Sequence, residues 1–239
     1  MRDKVPLPAF RWIACLMLMC APAAADAQSA GQGLFEKQHC GSCHDVEIEP
    51  ADAFDPEIRS SRKGPVLADA GIKLRKEWVA QWLQDPLRIR PAGAFPPVAT
   101  RTGPGDKDQI DESVLASHPS LSAEDAAAIS EYLATLKAHG DRLAAIEVKP
   151  TNLPKKMAAL NFGKFKGCIA CHRDGPDNGG VSGPELYTAW ARNTPEFLFA
   201  YIQDPSAWDK HTMMPGLALN DVEINKLLGY LKTISGAPK

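Results

Sequence analysis

Two short clusters in this chain, Cys40-Gly41-Ser42-Cys43-His44 and Cys168-Ile169-Ala170-Cys171-His172, set a pair of thiols three residues apart with an imidazole next to the second. That spacing is the attachment signature for c-type haem. Each thiol forms a thioether bond to a vinyl group of the porphyrin, and the histidine stands under the iron as its proximal ligand. A bare Cys-x-x-Cys also serves as a redox dithiol or as half of a zinc site. Two copies, each followed by histidine, point to two haem c groups and to electron transfer or a chemistry built on it.

Four of the six cysteines lie in these clusters. The other two, Cys15 and Cys20, fall in a stretch that reads as an export leader. Arg2, Lys4 and Arg11 are followed by an apolar run from Trp12 to Cys20, and Ala25-Asp26-Ala27 reads as a cleavage site before Gln28. The apolar run is shorter than the roughly 20 residues that cross a bilayer. The expectation is a cleaved signal peptide over residues 1–27, a periplasmic product, and no stable membrane span after cleavage. No thiol is left for a structural disulfide, so haem supplies the covalent staples. The formal charge of −2 argues against nucleic acid as a partner.

The elements that must position these groups occur twice. Gly64-Pro65-Val66-Leu67 matches Gly183-Pro184-Glu185-Leu186, and Trp82-Leu83-Gln84-Asp85-Pro86 matches Tyr201-Ile202-Gln203-Asp204-Pro205, both at an offset of 119 residues. Nearer the ends, Tyr132-Leu133 matches Tyr230-Leu231. Each unit reads as a helix leading into the haem motif, a Gly-Pro-x-Leu loop, a middle helix stopped at Asp-Pro, and a final helix. The first helices are predicted from about Ala30 to Cys43 and from about Lys156 to Cys171. The middle ones start near Arg75 and Thr194, and the last begin at the N-caps Ser122 and Asn220. No convincing strand pattern is present. Residues 139–155, with Gly140, Pro150 and Pro154, read as a linker. Each unit is small for an independent fold, and haem supplies the missing apolar core.

This arrangement resembles the class I cytochrome c fold, in tandem as in the di-haem cytochromes c. The resemblance implies an all-α protein of two class I domains, 28–138 and 156–239, each wrapped around its own covalently bound haem. It rests on the two haem motifs, the two Gly-Pro-x-Leu loops and Met214-Pro215 before the last helix. It implies covalent attachment at Cys40, Cys43, Cys168 and Cys171, with His44 and His172 as proximal ligands. It further implies Met214 as the sixth ligand of the second iron, Met213 being the neighbour that competes for that role.

The first unit breaks the pattern, because no methionine lies between Met19 and Met157. The position matching Met214 is Phe95. His118-Pro119-Ser120-Leu121 mimics Met214-Pro215-Gly216-Leu217, some twenty residues further on. Three readings stay open: His118 as sixth ligand, an open iron with Phe95 above it, or Lys107 as ligand. His/His ligation sets a lower potential than His/Met, which sends electrons from the first haem to the second. An open iron instead binds small molecules, the mark of an enzyme or a sensor.

Trp82 and Tyr201 occupy matching positions, where the resemblance implies propionate contacts and plain core packing is the alternative. Arg75, Arg88, Arg90 and Arg192 are candidates to offset propionate charge. His39 reads as a residue at the haem edge, His139 as a solvated cap and His211 as a surface residue. The acid-rich run Asp45 to Glu57 reads as a solvated loop or as a docking surface for a charged partner. The resulting expectation is a periplasmic carrier of single electrons between a donor, such as a dehydrogenase or membrane complex, and an acceptor. The alternative is a di-haem oxidoreductase, acting on peroxide or on thiosulfate or sulfite at an open first haem.

Overall fold

The computed structural model describes residues 22–48, 52–106 and 108–235. The expected leader lies outside the described residues up to residue 21, as does Lys107. Helix α1 (Pro22–Lys37) does not run into the first haem motif as the sequence implied. His39 takes a left-handed conformation (φ 54°, ψ 32°), and a tight 3-10 turn over Cys40–Ser42 follows. The second half repeats the break. Helix α7 (Lys155–Leu160) passes through a π-helical turn (Asn161–Phe165) to left-handed Gly167 (φ 71°) and the 3-10 turn Cys168–Ala170. A left-handed residue cannot continue the i to i−4 ladder, so the chain turns sharply just before the thiols.

Short helices follow in each half, ahead of a long one. In the first they are α2 (Pro56–Ser61), α3 (Ala70–Lys73), α4 (Lys76–Trp82) and α5 (Pro96–Ala99), and the long helix is α6 (Ala123–Thr135). In the second they are α8 (Ala189–Arg192), α9 (Pro195–Gln203) and α10 (Pro205–Trp208), and the long helix is α11 (Asp221–Ser235). Of these, α3 and α4 pack against α6, and α8 and α9 against α11. The long helices start where their caps predict. Ser122 Oγ accepts from the Asp125 amide at 3.1 Å. Asn220 Oδ1 accepts from the Glu223 amide at 3.0 Å while Glu223 Oε2 accepts from the Asn220 amide at 3.2 Å, a reciprocal capping box. Ile129, Tyr132 and Leu133 of α6 close over Phe35 and Val79, and Ile224, Leu228 and Leu231 of α11 close over Phe162, Leu198 and Phe199. Each such aliphatic side chain, fully buried, contributes about 1.5–3 kcal/mol.

Three expectations need correction. The chain is mainly helical but not purely so. Hairpin β1 (Thr100–Thr102) and β2 (Asp108–Ile110) pairs Thr100 with Ile110, and β3 (Arg173–Gly175) pairs with β4 (Asn178–Gly179). Strands this short carry too few residues to show alternation. Asp204-Pro205 does more than stop α9. The Asp204 carboxylate accepts from the amides of Ser206 and Ala207 (3.1 and 3.2 Å) and so caps α10, with proline in its first turn. Helix α4 ends at Trp82, before Asp85-Pro86 is reached.

The halves meet along a seam with near two-fold character. Leu74 and Asn193, matching residues under the 119 offset, form an antiparallel bridge. The Arg75 amide donates to Arg192 O and the Thr194 amide to Lys73 O, both at 2.9 Å, two bonds that exchange with each other under the same offset. Residues 139–155 lie along the second half. The Lys149 and Thr151 amides donate to the Asn225 side chain and carbonyl (2.7 and 2.9 Å), and Ile146, Val148 and Leu153 pack on its core. Among the described residues no helix is long and apolar enough to cross a membrane.

Candidate haem-binding sites

The two Cys-x-x-Cys-His clusters carry the same local geometry. Nδ1 of His44 donates to Pro65 O at 2.9 Å, and Nδ1 of His172 donates to Pro184 O at 2.7 Å. A carbonyl only accepts, so Nδ1 carries the proton and the Nε2 lone pair is left for a metal. The glycine before each proline makes this approach possible. A Cβ on Gly64 would lie 2.6 Å from His44 Cε1, and one on Gly183 would lie 2.5 Å from His172 Cε1. The Gly-Pro-x-Leu loop is therefore a rest for the imidazole: glycine clears the ring and proline supplies the acceptor. Burial, then the charges of Arg90 and Arg192, lowers the His172 pKa and so favours the neutral, ligating form.

The first half brings a second imidazole over the first. The ring centroids of His44 and His118 lie 6.2 Å apart. A metal bonded to one nitrogen of each of two imidazoles, at about 2.0–2.1 Å, sets the ring centroids roughly 6.3 Å apart. Nδ1 of His118 donates to Pro119 O at 3.0 Å, which again leaves Nε2 available. Burial, then the proximity of His44, holds the His118 pKa down. Trp82 backs this ring, with centroids 4.6 Å apart, and Trp78 stacks on Trp82 at 5.7 Å. The Trp82 indole N–H donates to Leu87 O at 2.9 Å. Phe95 is half-buried at the cap of α5.

In the second half Met213 is 56% exposed and Met214 is half-buried. The Met214 amide donates to Thr212 Oγ1 at 3.2 Å, and that hydroxyl is bonded to Tyr201 OH at 2.8 Å. Tyr201 thus anchors the methionine loop to α9.

Two further histidines are not where the sequence placed them. His211 is only 2% exposed. Its Nδ1 accepts from the Asp55 amide at 3.0 Å, so a residue of the first half covers it. His139 is half-buried against Trp208, with ring centroids 6.4 Å apart. The end of the acid-rich run is likewise an internal contact. Asp55 caps α2, and Arg62 after it pairs with both oxygens of Asp209 at 2.8 Å. Sequence carries no sign of the His211–Asp55 and Arg62–Asp209 contacts, which join residues 156 and 147 positions apart.

The residues present fit haem better than the other uses of paired thiols. Cys40, Cys43, Cys168 and Cys171 are all free. Burial raises the pKa of Cys40 and Cys168, the leading thiol of each pair, whereas redox dithiols depend on a lowered one. Among the described residues no three His, Cys, Asp or Glu side chains gather as a metal cluster.

The family model described as Cytochrome c matches residues 28–137 and 162–235. Cytochrome c oxidase subunit 2 of Bacillus subtilis (strain 168) is 32% identical over 124 residues, covering 48% of this chain. The chain spans only 28% of that relative's length. No solved structure matches.

Proposed function

We propose that this chain, which belongs to the cytochrome c family, is a periplasmic di-haem carrier of single electrons between a redox donor and an acceptor. The family implies covalently bound haem c and redox partners. When bound, haem supplies reversible one-electron exchange at its iron. The chain's own residues do the rest. Cys40 and Cys43 fix one group, and Cys168 and Cys171 the other, in units spanning 28–138 and 156–239. His44 and His172 are the proximal ligands, each aimed by its proline carbonyl. His118 and Met214 are the sixth ligands.

The observation that carries this reading is the 6.2 Å pairing of the His44 and His118 rings, each with Nδ1 held by a proline carbonyl. It favours His118 over Phe95 above an open site. Two imidazoles stabilise ferric iron more than an imidazole with a thioether, which places the first site at lower potential than the second. Tyr201 holds the methionine loop through Thr212, and Trp82 supports His118 while its N–H is given to Leu87 O rather than left for a propionate. The oxidase-subunit relative supports a place in an electron-transfer chain, and the family's typically extracytoplasmic setting supports export over residues 1–27.

The test is carbon monoxide added to the reduced protein, with EPR of the oxidised form. The proposal expects two low-spin irons and no carbon monoxide adduct, and it expects His118→Ala to create one. A high-spin, CO-binding iron in the unmodified protein would favour the di-haem oxidoreductase instead.

A further inference from the structure

Four arginines converge on the seam near His172 and Tyr201: Arg59 on α2, Arg62 just beyond it, Arg90 after α4, and Arg192 at the end of α8. Two have carboxylate partners. Arg62 pairs with Asp209 at 2.8 Å and Arg192 with Glu185 at 2.7 Å. The other two have none among the described residues. Arg59 is 8% exposed and gives an Nη2 hydrogen to Ala94 O at 2.6 Å, while its Nε is buried without a partner. Arg90 makes no hydrogen bond or ion pair among the described residues. Its place is fixed by its neighbour Ile89, whose carbonyl accepts from the Glu185 amide at 2.7 Å, in the very loop that holds His172.

Burial, then the charge of Arg90, disfavours the Arg59 cation, and burial is the leading effect on Arg90 as well. Arginine does not shed its proton, so the charges stay. A cation buried without a counter-ion is costly, and Arg59 is buried while Arg90 is half-buried. Asp209 and Glu185 are already taken, which leaves an excess of two positive charges. Those charges sit beside the Tyr201 ring, whose phenol both arginines influence.

We propose that Arg59 and Arg90, both carried by the first half, bind the two propionates of the second haem, the one attached at Cys168 and Cys171. This rests on the two-haem reading above. Each propionate would supply the carboxylate that its arginine lacks, beside the Tyr201 ring whose hydroxyl is bonded to Thr212. The second site is then complete only when the halves are docked. The first half also sets the second potential, because a guanidinium beside the porphyrin disfavours the added positive charge of ferric iron.

The experiment is a spectroelectrochemical titration of the holoprotein, with haem counted by pyridine haemochrome in the same samples. The second haem is identified as the wave that Met214→His moves. Arg59→Gln and Arg90→Gln should each shift that wave toward the ferric form by about tenfold in the redox equilibrium, about 59 mV for one electron. The other wave should stay in place, and Arg90→Lys should restore most of the shift. Equal movement of both waves, movement of the first alone, or no movement would overturn the assignment. One haem per chain sinks the two-haem reading itself. Two haems with an unmoved second wave sink only the arginine assignment.

Discussion

At Gly64 and Gly183 there is no room for a methyl group, because the ring of His44 or His172 already occupies the space a Cβ would take. Gly64→Ala and Gly183→Ala should therefore push His44 or His172 off its proline carbonyl. The expected result is loss of haem from the altered half alone and destabilisation by about 1–3 kcal/mol, read from haem content and thermal unfolding. Full haem loading in either variant would contradict this role for the loop. His39 offers the opposite change. It holds a left-handed conformation that its counterpart Gly167 adopts freely. His39→Gly should stabilise the first half by about 1 kcal/mol in denaturant unfolding, and a loss of stability would mean that the imidazole has a task of its own. The paired thiols with their histidines were legible because they lie within five residues of one another, and the Gly-Pro loops because both copies repeat at one offset. The approach of His118 to His44 was legible only as one of three options, through the Pro-x-Leu that follows it. His211 and Arg59 were not legible, because distant segments bury them.

Caps were the most readable feature at the level of helices, since they act between residues three apart. Ser122→Ala and Asn220→Ala should each cost about 1 kcal/mol in thermal or denaturant unfolding. No effect from Asn220→Ala would show that the capping box is not needed once α11 is packed. Hairpins were invisible in the sequence because strands of two or three residues cannot display a period. The breaks before Cys40 and Cys168 were invisible for another reason. The residues of α1 and of the α7 segment suit a longer helix, and only the turn that presents the thiols stops them.

Across the whole molecule, the internal repeat was readable, but the way its copies meet was not. The bridge between Leu74 and Asn193 uses backbone groups, which any side chains allow. Arg62 and Asp209 provide a side-chain tie across the same seam. Burial by itself would raise the Asp209 pKa, but the bond and charge of Arg62 outweigh it and hold it down. A carboxylate depressed in the folded state adds stability above its unfolded value of about 3.9 and loses it as pH falls through the folded value. Arg62→Gln should thus be less stable than the unmodified protein at neutral pH, and the gap should narrow below about pH 4. Denaturant unfolding at both pH values checks this, and a gap that stays constant would remove Asp209 from the account.

The most direct test of the central claim is the mass and colour of the intact chain from cells that can attach haem. Two covalent haems should survive acid-acetone extraction, and replacing Cys40 and Cys43 with alanine should leave one, with the spectrum of a His/Met site. A chain that carries one haem or none, or that keeps both after that replacement, would contradict it.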